Sequence, residues 1–296
     1  MAEQGGSASL SELRRRRRLG QDDARPEAIA DRHARGGRSA RENIADLIDE
    51  GSFVEYGGLA TAAQEDRLDA EQLLRQTPAD GLVGGICRIN GDIFGEAAGC
   101  AVLSYDYLVM AGTQGIRGHH KTDRLLDVVQ RLRLPTVFFT EGGGGRPSDT
   151  DFPVASALDV GSFAAWGRLS GKVPRIAVVS GKCFAGNAVL AASSDIIIAT
   201  SSATMGVAGP AMLSAAGLGD HDAEDIGPTS TLAKVGVVDV VVDDERAAVV
   251  AAKQLLGFFQ GSTPAGLAPD QDALRGAIPA RERTAFDVRR VITTLA

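Results

Sequence analysis

The sequence predicts an α/β fold, and three features carry that reading. From residue 81 onward, short apolar runs alternate with longer stretches of helical spacing. The 36 glycines among 296 residues exceed the average share of roughly 7% and gather at the ends of the apolar runs, without a fibrous period. Hydrophobic residues make up 44% of the chain, enough to bury a sizeable core in one large domain or two small ones.

Taken in order, residues 1–45 are polar and charged, with Gly36 and Gly37 interrupting two helical patches, and read as an N-terminal helical arm. Residues 14–18 are all arginine. Such a run can mark an RNA-binding or membrane arm, but here it follows Ser11, Glu12 and Leu13, as in a capped helix whose basic side is solvated or meets a subunit. The main domain is expected over 46–262. It has strands at 82–89 and 101–105 and a helix over 121–132. Residues 135–140, β-branched and aromatic, form a strand that ends in a run of glycines, after which 154–169 has helical spacing. A strand at 175–180, a short helix at 186–193 and strands at 195–200 and 234–242 follow, closed by a helix over 245–259. Repeated strand, turn and helix units imply parallel connections. Residues 263–296 read as a linker, within the Gly-, Ala- and Pro-rich stretch 261–280, and then the start of a further half.

Charge and cysteine usage narrow the function. A net charge of -7 and a pI near 5.2 exclude a general nucleic-acid binder, which needs a basic surface to neutralise phosphates. No apolar stretch reaches the roughly 20 residues of a membrane span or forms a signal-peptide core, so a cytoplasmic protein with no membrane partner is expected. Cys87, Cys100 and Cys183 are too widely spaced for a CxxC zinc ribbon and fit reduced core thiols. His119 and His120 are adjacent and diverge, so no metal site is expected.

Two turns carry the candidate chemistry. In Thr140-Glu141-Gly142-Gly143-Gly144-Gly145-Arg146 a strand ends and the chain turns toward a helix. Glycine admits positive φ and lets a ligand reach main-chain N–H groups with no Cβ in the way, so the run can cradle an oxyanion. It lacks the Lys-Ser/Thr of a Walker loop and the spacing of a dinucleotide fold. Gly181-Lys182-Cys183-Phe184-Ala185-Gly186-Asn187 has the same layout one strand later, and such turns lie side by side where open α/β sheets bind ligands. Cys183 has no His or Asp near it in sequence and reads as a packed thiol. Glu141 is the one carboxylate beside the cradle: a general base, or a residue that orients the loop or pairs with Arg146.

These residues resemble a known family, the carboxyltransferase subunits of biotin-dependent acyl-CoA carboxylases of the acetyl-CoA and propionyl-CoA type, within the crotonase-like superfamily. The resemblance runs from about Arg32 to the C-terminus. Arg32-His33-Ala34-Arg35-Gly36, Ala40-Arg41-Glu42-Asn43-Ile44 and Gly51-Ser52-Phe53-Val54-Glu55 are similar to the family's opening. Asp80-Gly81-Leu82-Val83 through Asn90-Gly91 resembles its first strand pair, and Asp106-Tyr107 through Gly112 the segment after it. The glycine run with Arg146 is similar to "SGGAR", Gly181-Lys182-Cys183-Phe184-Ala185-Gly186 to "GPCAGG", and Met205 with Gly209-Pro210 to "MxxxGP".

The resemblance implies a crotonase-like ββα spiral, a single domain with an N-terminal helical arm, whose fold binds acyl-CoA. It implies that Gly143 and Gly144 donate the N–H pair to a thioester oxygen, with Gly142, Gly145, Arg146, Ala185 and Gly186 at the substrate. Biotin on a separate carrier protein or domain would bring the carboxyl group and the base, and no metal would take part. Implied partners are biotin carboxylase and biotin carboxyl carrier components, a C-terminal carboxyltransferase half and further copies in a homo- or hetero-oligomer. Ala285-Phe286-Asp287-Val288-Arg289 resembles the start of that half, so a partner that supplies it, or a fragment, is expected. Departures are Gly142 and Gly145 for the serine and alanine flanking the pair, and Lys182, Phe184 and Asn187 for smaller residues. A decarboxylase subunit of the malonate decarboxylase type and a non-catalytic CoA-binding subunit are the alternatives.

Overall fold

The computed structural model describes residues 8–149, 160–262, 270–281 and 283–295. The chain divides into two compact units, 1–261 and 262–296. In the first, helices α1 (Ala8–Leu19), α2 (Pro26–Ala34) and α3 (Ala40–Leu47) precede the short strand β1 (Val54–Glu55) and helix α4 (Ala70–Gln76). Strand β2 (Leu82–Arg88), the single turn α5 (Gly91–Phe94), β3 (Gly99–Tyr105), α6 (Ile116–Leu132) and β4 (Thr136–Phe139) follow. Then come α7 (Ser162–Arg168), β5 (Arg175–Val179), β6 (Lys182–Phe184), α8 (Gly186–Ala192), β7 (Ile196–Thr200) and β8 (Thr204–Gly206). Helices α9 (Pro210–Ala215) and α10 (Thr229–Lys234), strand β9 (Val240–Val242) and helix α11 (Glu245–Gln260) complete the unit. The second unit holds α12 (Val288–Leu295).

The main sheet is mixed, in the order β1-β2-β3-β4-β5-β7-β9, and a second sheet pairs β6 with β8. Strands β3 to β9 run parallel, as the βα alternation predicts. The first three are antiparallel, a departure from that pattern. For β2 and β3 the reason is length: the 89–98 connection is shorter than the dozen or so residues a parallel crossover needs. The order of one strand in each sheet followed by a helix recurs in β5-β6-α8 and β7-β8-α9.

Periodicity explains the layers. In α6 the buried residues Gly118, His119, Thr122, Leu125, Leu126 and Val129 fall on one helical stripe, which packs with Leu103, Phe138 and Trp166 on one sheet face. The opposite face holds Val102, Val137, Ile176 and Ile198 under Ala248, Val249, Ala252 and Leu256 of α11. Helix α3 joins that layer through Ile44 and Leu47, and a Ser39–Glu42 capping box sets its start. Residue 45 therefore falls inside a helix that packs on the sheet.

Three local readings differ. Helix α6 starts at Ile116, ahead of 121, and within this first turn Gly118 N–H donates to the Asp80 carboxylate. Helix α1 already includes Ser11, which is not its cap. In 234–242 only Val240–Val242 is strand, since α10 ends in a Schellman turn with Gly236 at φ 78 and Val237 N–H donating to Leu232 O at 2.9 Å. The 154–159 part of the expected 154–169 helix lies outside the described residues, and α7 supplies the rest.

Leu47 is fully buried in α3. Leu47→Ala is expected to lower unfolding free energy by about 2–5 kcal/mol, read from the denaturant midpoint, because it leaves a cavity under the sheet. A loss below about 0.5 kcal/mol, typical of a surface site, would detach α3 from the core.

Candidate active site

The two glycine turns lie side by side, joined through their backbones. Gly142 N–H donates to Lys182 O at 2.7 Å, and Gly142 O accepts from Phe184 N–H at 2.9 Å. A third segment closes the layer: Gln114 N–H donates to Gly144 O at 2.7 Å, and Arg146 N–H to Gln114 O at 3.0 Å. A Cβ on Gly142 would lie 2.1 Å from Gly112 O and 2.3 Å from Asn187 Nδ2, so only glycine allows this approach. Gly144 has φ 90, and a Cβ there would lie 2.5 Å from Ala185 Cβ.

Asn187, wholly buried, ties the turns together. Its Oδ1 accepts from Gly144 N–H at 2.9 Å, and its Nδ2 donates to Gly112 O at 3.2 Å. Gly143 N–H donates to Ala111 O at 3.2 Å. The expected donors Gly143 and Gly144 are therefore both engaged inside the loop, because the 110–114 segment and α8 bring acceptors up to them. Among the described residues, the N–H groups of Gly145 and Gly186 have no acceptor. Gly145 is exposed, and half-buried Gly186 opens α8, where first-turn amides have no intrahelical partner. Ala185 N–H donates to Gly206 O at 3.0 Å, and Ala185 sits at φ 50, ψ -123, a conformation that glycine adopts far more readily.

The ionisable side chains on these turns face other partners. Arg146 is buried: it pairs with Asp80, and its Nη2 and Nε donate to Thr113 O at 2.9 Å and Thr113 Oγ1 at 3.2 Å. Burial raises the Asp80 carboxyl above the usual range, with Arg146 opposing. The expected Glu141–Arg146 pairing is not formed. Glu141 is gripped instead by both terminal nitrogens of Arg32, on α2. Burial pushes the Glu141 carboxyl up to about 7, although Arg32 pulls it down. Lys182 reaches Glu224 at 3.2 Å. Cys183 is fully buried and its thiol is pushed up to about 12, so it is a packing residue. Cys87 and Cys100 are also buried, free thiols.

Sequence pattern alone does not mark Asn187, Asp80, Arg32 and Gln114 as site residues. The one local signal for Asn187 is a polar side chain that ends the second turn segment, where the family has a smaller residue. The others act across long sequence separations. His119 is buried, with its imidazole pushed down to about 4 by desolvation and Nδ1 3.0 Å from Ser162 Oγ. Among the described residues, no group of three or more His, Cys, Asp or Glu could hold a metal ion, and no helix is long and apolar enough to cross a membrane.

The carboxyl transferase domain family matches residues 31–296. The 12S subunit of methylmalonyl-CoA carboxyltransferase from Propionibacterium freudenreichii subsp. shermanii is 31% identical over 278 residues, 90% of this chain and 51% of that protein. The beta4 subunit of a biotin-dependent long chain acyl-coenzyme A carboxylase from Mycobacterium tuberculosis is 29% identical, over 96% of this chain and 53% of that protein. Among solved structures, a single-chain, multi-domain long-chain acyl-CoA carboxylase superposes with a TM-score of 0.91 at 50% identity, covering 98% of this chain and 29% of that one. The chain spans about half the length of the curated relatives it matches.

Two outcomes are expected from the geometry alone. Ala185→Gly is expected to stabilise by about 1 kcal/mol in thermal or denaturant unfolding, by relieving the positive φ; destabilisation would mean that the methyl contact with Gly144 outweighs the strain. For Glu141, a folded-state pKa raised above the unfolded value means that the native state holds the extra proton between about pH 4.5 and 7. The stability due to this group is present below that window and is lost as pH rises through it. The stability of Glu141→Gln relative to the wild type is expected to shift in favour of Gln as pH rises from 5 to 8, measured by denaturant melts; a flat difference would contradict it.

Proposed function

The chain belongs to the carboxyl transferase domain family, and on that premise we propose that it forms the acyl-CoA-binding part of a carboxyltransferase. The reaction moves a carboxyl group between carboxybiotin and the α-carbon of an acyl-CoA. The observation that carries the reading is the backbone cradle: two interlocked turns that leave the Gly145 and Gly186 amides without acceptors among the described residues. The thioester oxygen sits against these amides. As the α-proton leaves, charge gathers on that oxygen, and fixed N–H dipoles stabilise the enolate more than the ground state. Gly143 and Gly144 shape the turn through Ala111 and Asn187. Gly142 keeps the two turns in contact, Ala185 forms one wall and Arg146 braces the loop from below.

No side chain of either turn is aimed at the cradle to remove a proton, which supports a reaction whose base comes from elsewhere. Biotin on its carrier would supply the carboxyl group and, once discharged, that base. A second carboxyltransferase half covers the other side of the substrate, and biotin carboxylase recharges the carrier. The likeness to the 12S subunit and to the long-chain enzymes supports acyl-CoA as the substrate class.

The reading is checked by combining the chain with a C-terminal carboxyltransferase half and carboxylated carrier, and following loss of the carboxyl group with a short and a long acyl-CoA. Acyl-CoA-dependent transfer is expected. Decarboxylation of a malonyl thioester without biotin, or thioester binding with no turnover in any pairing, would overturn it. Gly143 is exposed and its Cβ position lies 3.3 Å from Thr113 Cγ2, so a side chain fits there with small adjustment. Gly143→Val is expected to lower turnover by about 100-fold or more, by adding bulk at the cradle, with its melting temperature nearly unchanged. Wild-type turnover in this variant would remove the cradle from the mechanism.

A further inference from the structure

One guanidinium serves two buried carboxylates directly beneath the cradle. Arg32 Nη1 donates to Glu141 Oε1 at 3.0 Å and Nη2 to Oε2, while the same Nη2 donates to Glu245 Oε1 at 3.0 Å. The Arg32 guanidinium lies over the Tyr107 ring, 5.2 Å from its centre, and its Nε donates to Arg38 O at 3.1 Å. Glu245, in the first turn of α11, also accepts from Arg38 N–H at 3.1 Å and from Asn43 Nδ2. The arrangement links α2, α3 and α11 to the residue that enters the glycine run.

The charged and titratable groups facing Glu141 come from every element around it. They are Arg32 on α2, Glu245 on α11, Asp106 after β3 and the Cys183 thiol on β6, with Arg38, Tyr105 and Tyr107 lining the same small cavity. Asp106 is itself held by Arg25 at 2.7 Å. On the remaining side is Gly181, where a Cβ would lie 2.2 Å from Glu141 Oε1, so the carboxylate fills the space that this glycine leaves. Its side chain therefore points toward Gly181 and α2. With two carboxylates to one guanidinium, the cluster is short of one positive charge, and a proton is readily taken up there near neutrality.

We propose that Arg32 and Glu141 are positioning residues: their bidentate pair fixes the strand end from which the Gly142 to Gly145 turn springs, and so sets where the cradle amides point. The proposal rests on the carboxyltransferase reading for its catalytic consequence, but not for its geometry. Gly142 has both backbone groups bonded to β6. Glu141 is bonded to this anchored residue, so its pair with Arg32 holds the β4 side of the same anchor, and once that hold is lost small displacements of donors in the site cost large factors in rate. The ionised form of Glu141 makes the bidentate pair, and protonation loosens it.

The test uses the full chain with its partner components and three variants, Glu141→Gln, Arg32→Lys and Glu245→Gln, each first checked for a cooperative melt. Two readouts are taken: hydrogen exchange of the 140–149 backbone, and kcat and KM for acyl-CoA across pH 6–9. In Glu141→Gln, exchange in the turn is expected to speed up by about tenfold relative to the β4 and β5 core, kcat to fall by about tenfold with little change in KM, and the wild-type rise of kcat near pH 7 to disappear. Arg32→Lys, which cannot bridge both carboxylates, is expected to follow it. Glu245→Gln removes a like charge and is expected to move the rise to lower pH; should it fail to melt cooperatively, Asp106→Asn makes the same comparison. Unchanged turn exchange in Glu141→Gln, or a wild-type kcat with the pH rise intact, would overturn the proposal. A wild type with no acyl-CoA-dependent transfer would instead count against the functional reading, and exchange alone would then decide the positioning role.

Discussion

The site depends on how closely three backbone segments meet at Gly142. No side chain separates the turn after β4 from β6 or from the 110–114 loop, and a single Cβ at Gly142 would collide with Gly112 O at 2.1 Å. At that distance the buried main-chain groups have to be paired with one another, and they are: Gly142 with Lys182 and Phe184, Gly143 with Ala111, Gly144 with Gln114 and Asn187. The amides left over are those at the outer rim. Geometry fixed by main chain and one buried amide side chain has little rotamer freedom to lose, and it comes with unusual torsions, at Ala111 with φ 54 and at Ala185 with φ 50. Such torsions persist where surrounding hydrogen bonds over-determine them.

The charges beneath the turns have a matching role. Arginines of the N-terminal helices and their flanks end on carboxylates of the domain: Arg25 on Asp106, Arg32 on Glu141 and Glu245, Arg41 on Glu55. Buried ion pairs contribute little net stability after desolvation, but removing one partner is costly, so they act mainly to exclude alternative arrangements. The Asp80–Arg146 pair is the most deeply buried of them, with both side chains almost wholly inaccessible. It holds the far end of the glycine run as the Arg32–Glu141 pair holds the near end.

Much of the sheet was legible because β-branched runs stand between glycines. Strands β2, β4, β5 and β7 fall within two residues of the ranges read from sequence. The same signal misled at 234–242, where Val235, Val237 and Val238 continue the pattern past a helix end that Gly236 makes. The pairing of the turns followed from topology, since successive parallel strands end on the same side. The partners of Glu141 did not, because Arg32 lies 109 residues away and leaves no local trace. The Ser39–Glu42 capping box is legible in the sequence, yet most of α3 falls within the polar arm there, since its apolar residues Ile44 and Leu47 are too few to show periodicity on their own.

The direction in which Glu141 faces bears on the chemistry as well as on the fold. In the proposed reaction negative charge develops on a thioester oxygen held by neutral amides. A carboxylate turned into the same cradle, about 4 Å from that oxygen, would oppose the charge by about 4 kcal/mol at the effective dielectric near a protein surface. That is close to the whole contribution of one oxyanion donor. Backbone dipoles do not titrate, so the charge that a cradle made of them offers the oxygen does not itself change with pH, provided ionisable neighbours are kept out of it. Arg32 and Gly181 together meet that condition, the first by offering Glu141 a stronger partner and the second by leaving space for it. Stabilisation of charge and removal of the proton are then handled by different groups. The chain can present a neutral, rigid rim while the base arrives with the carboxyl donor.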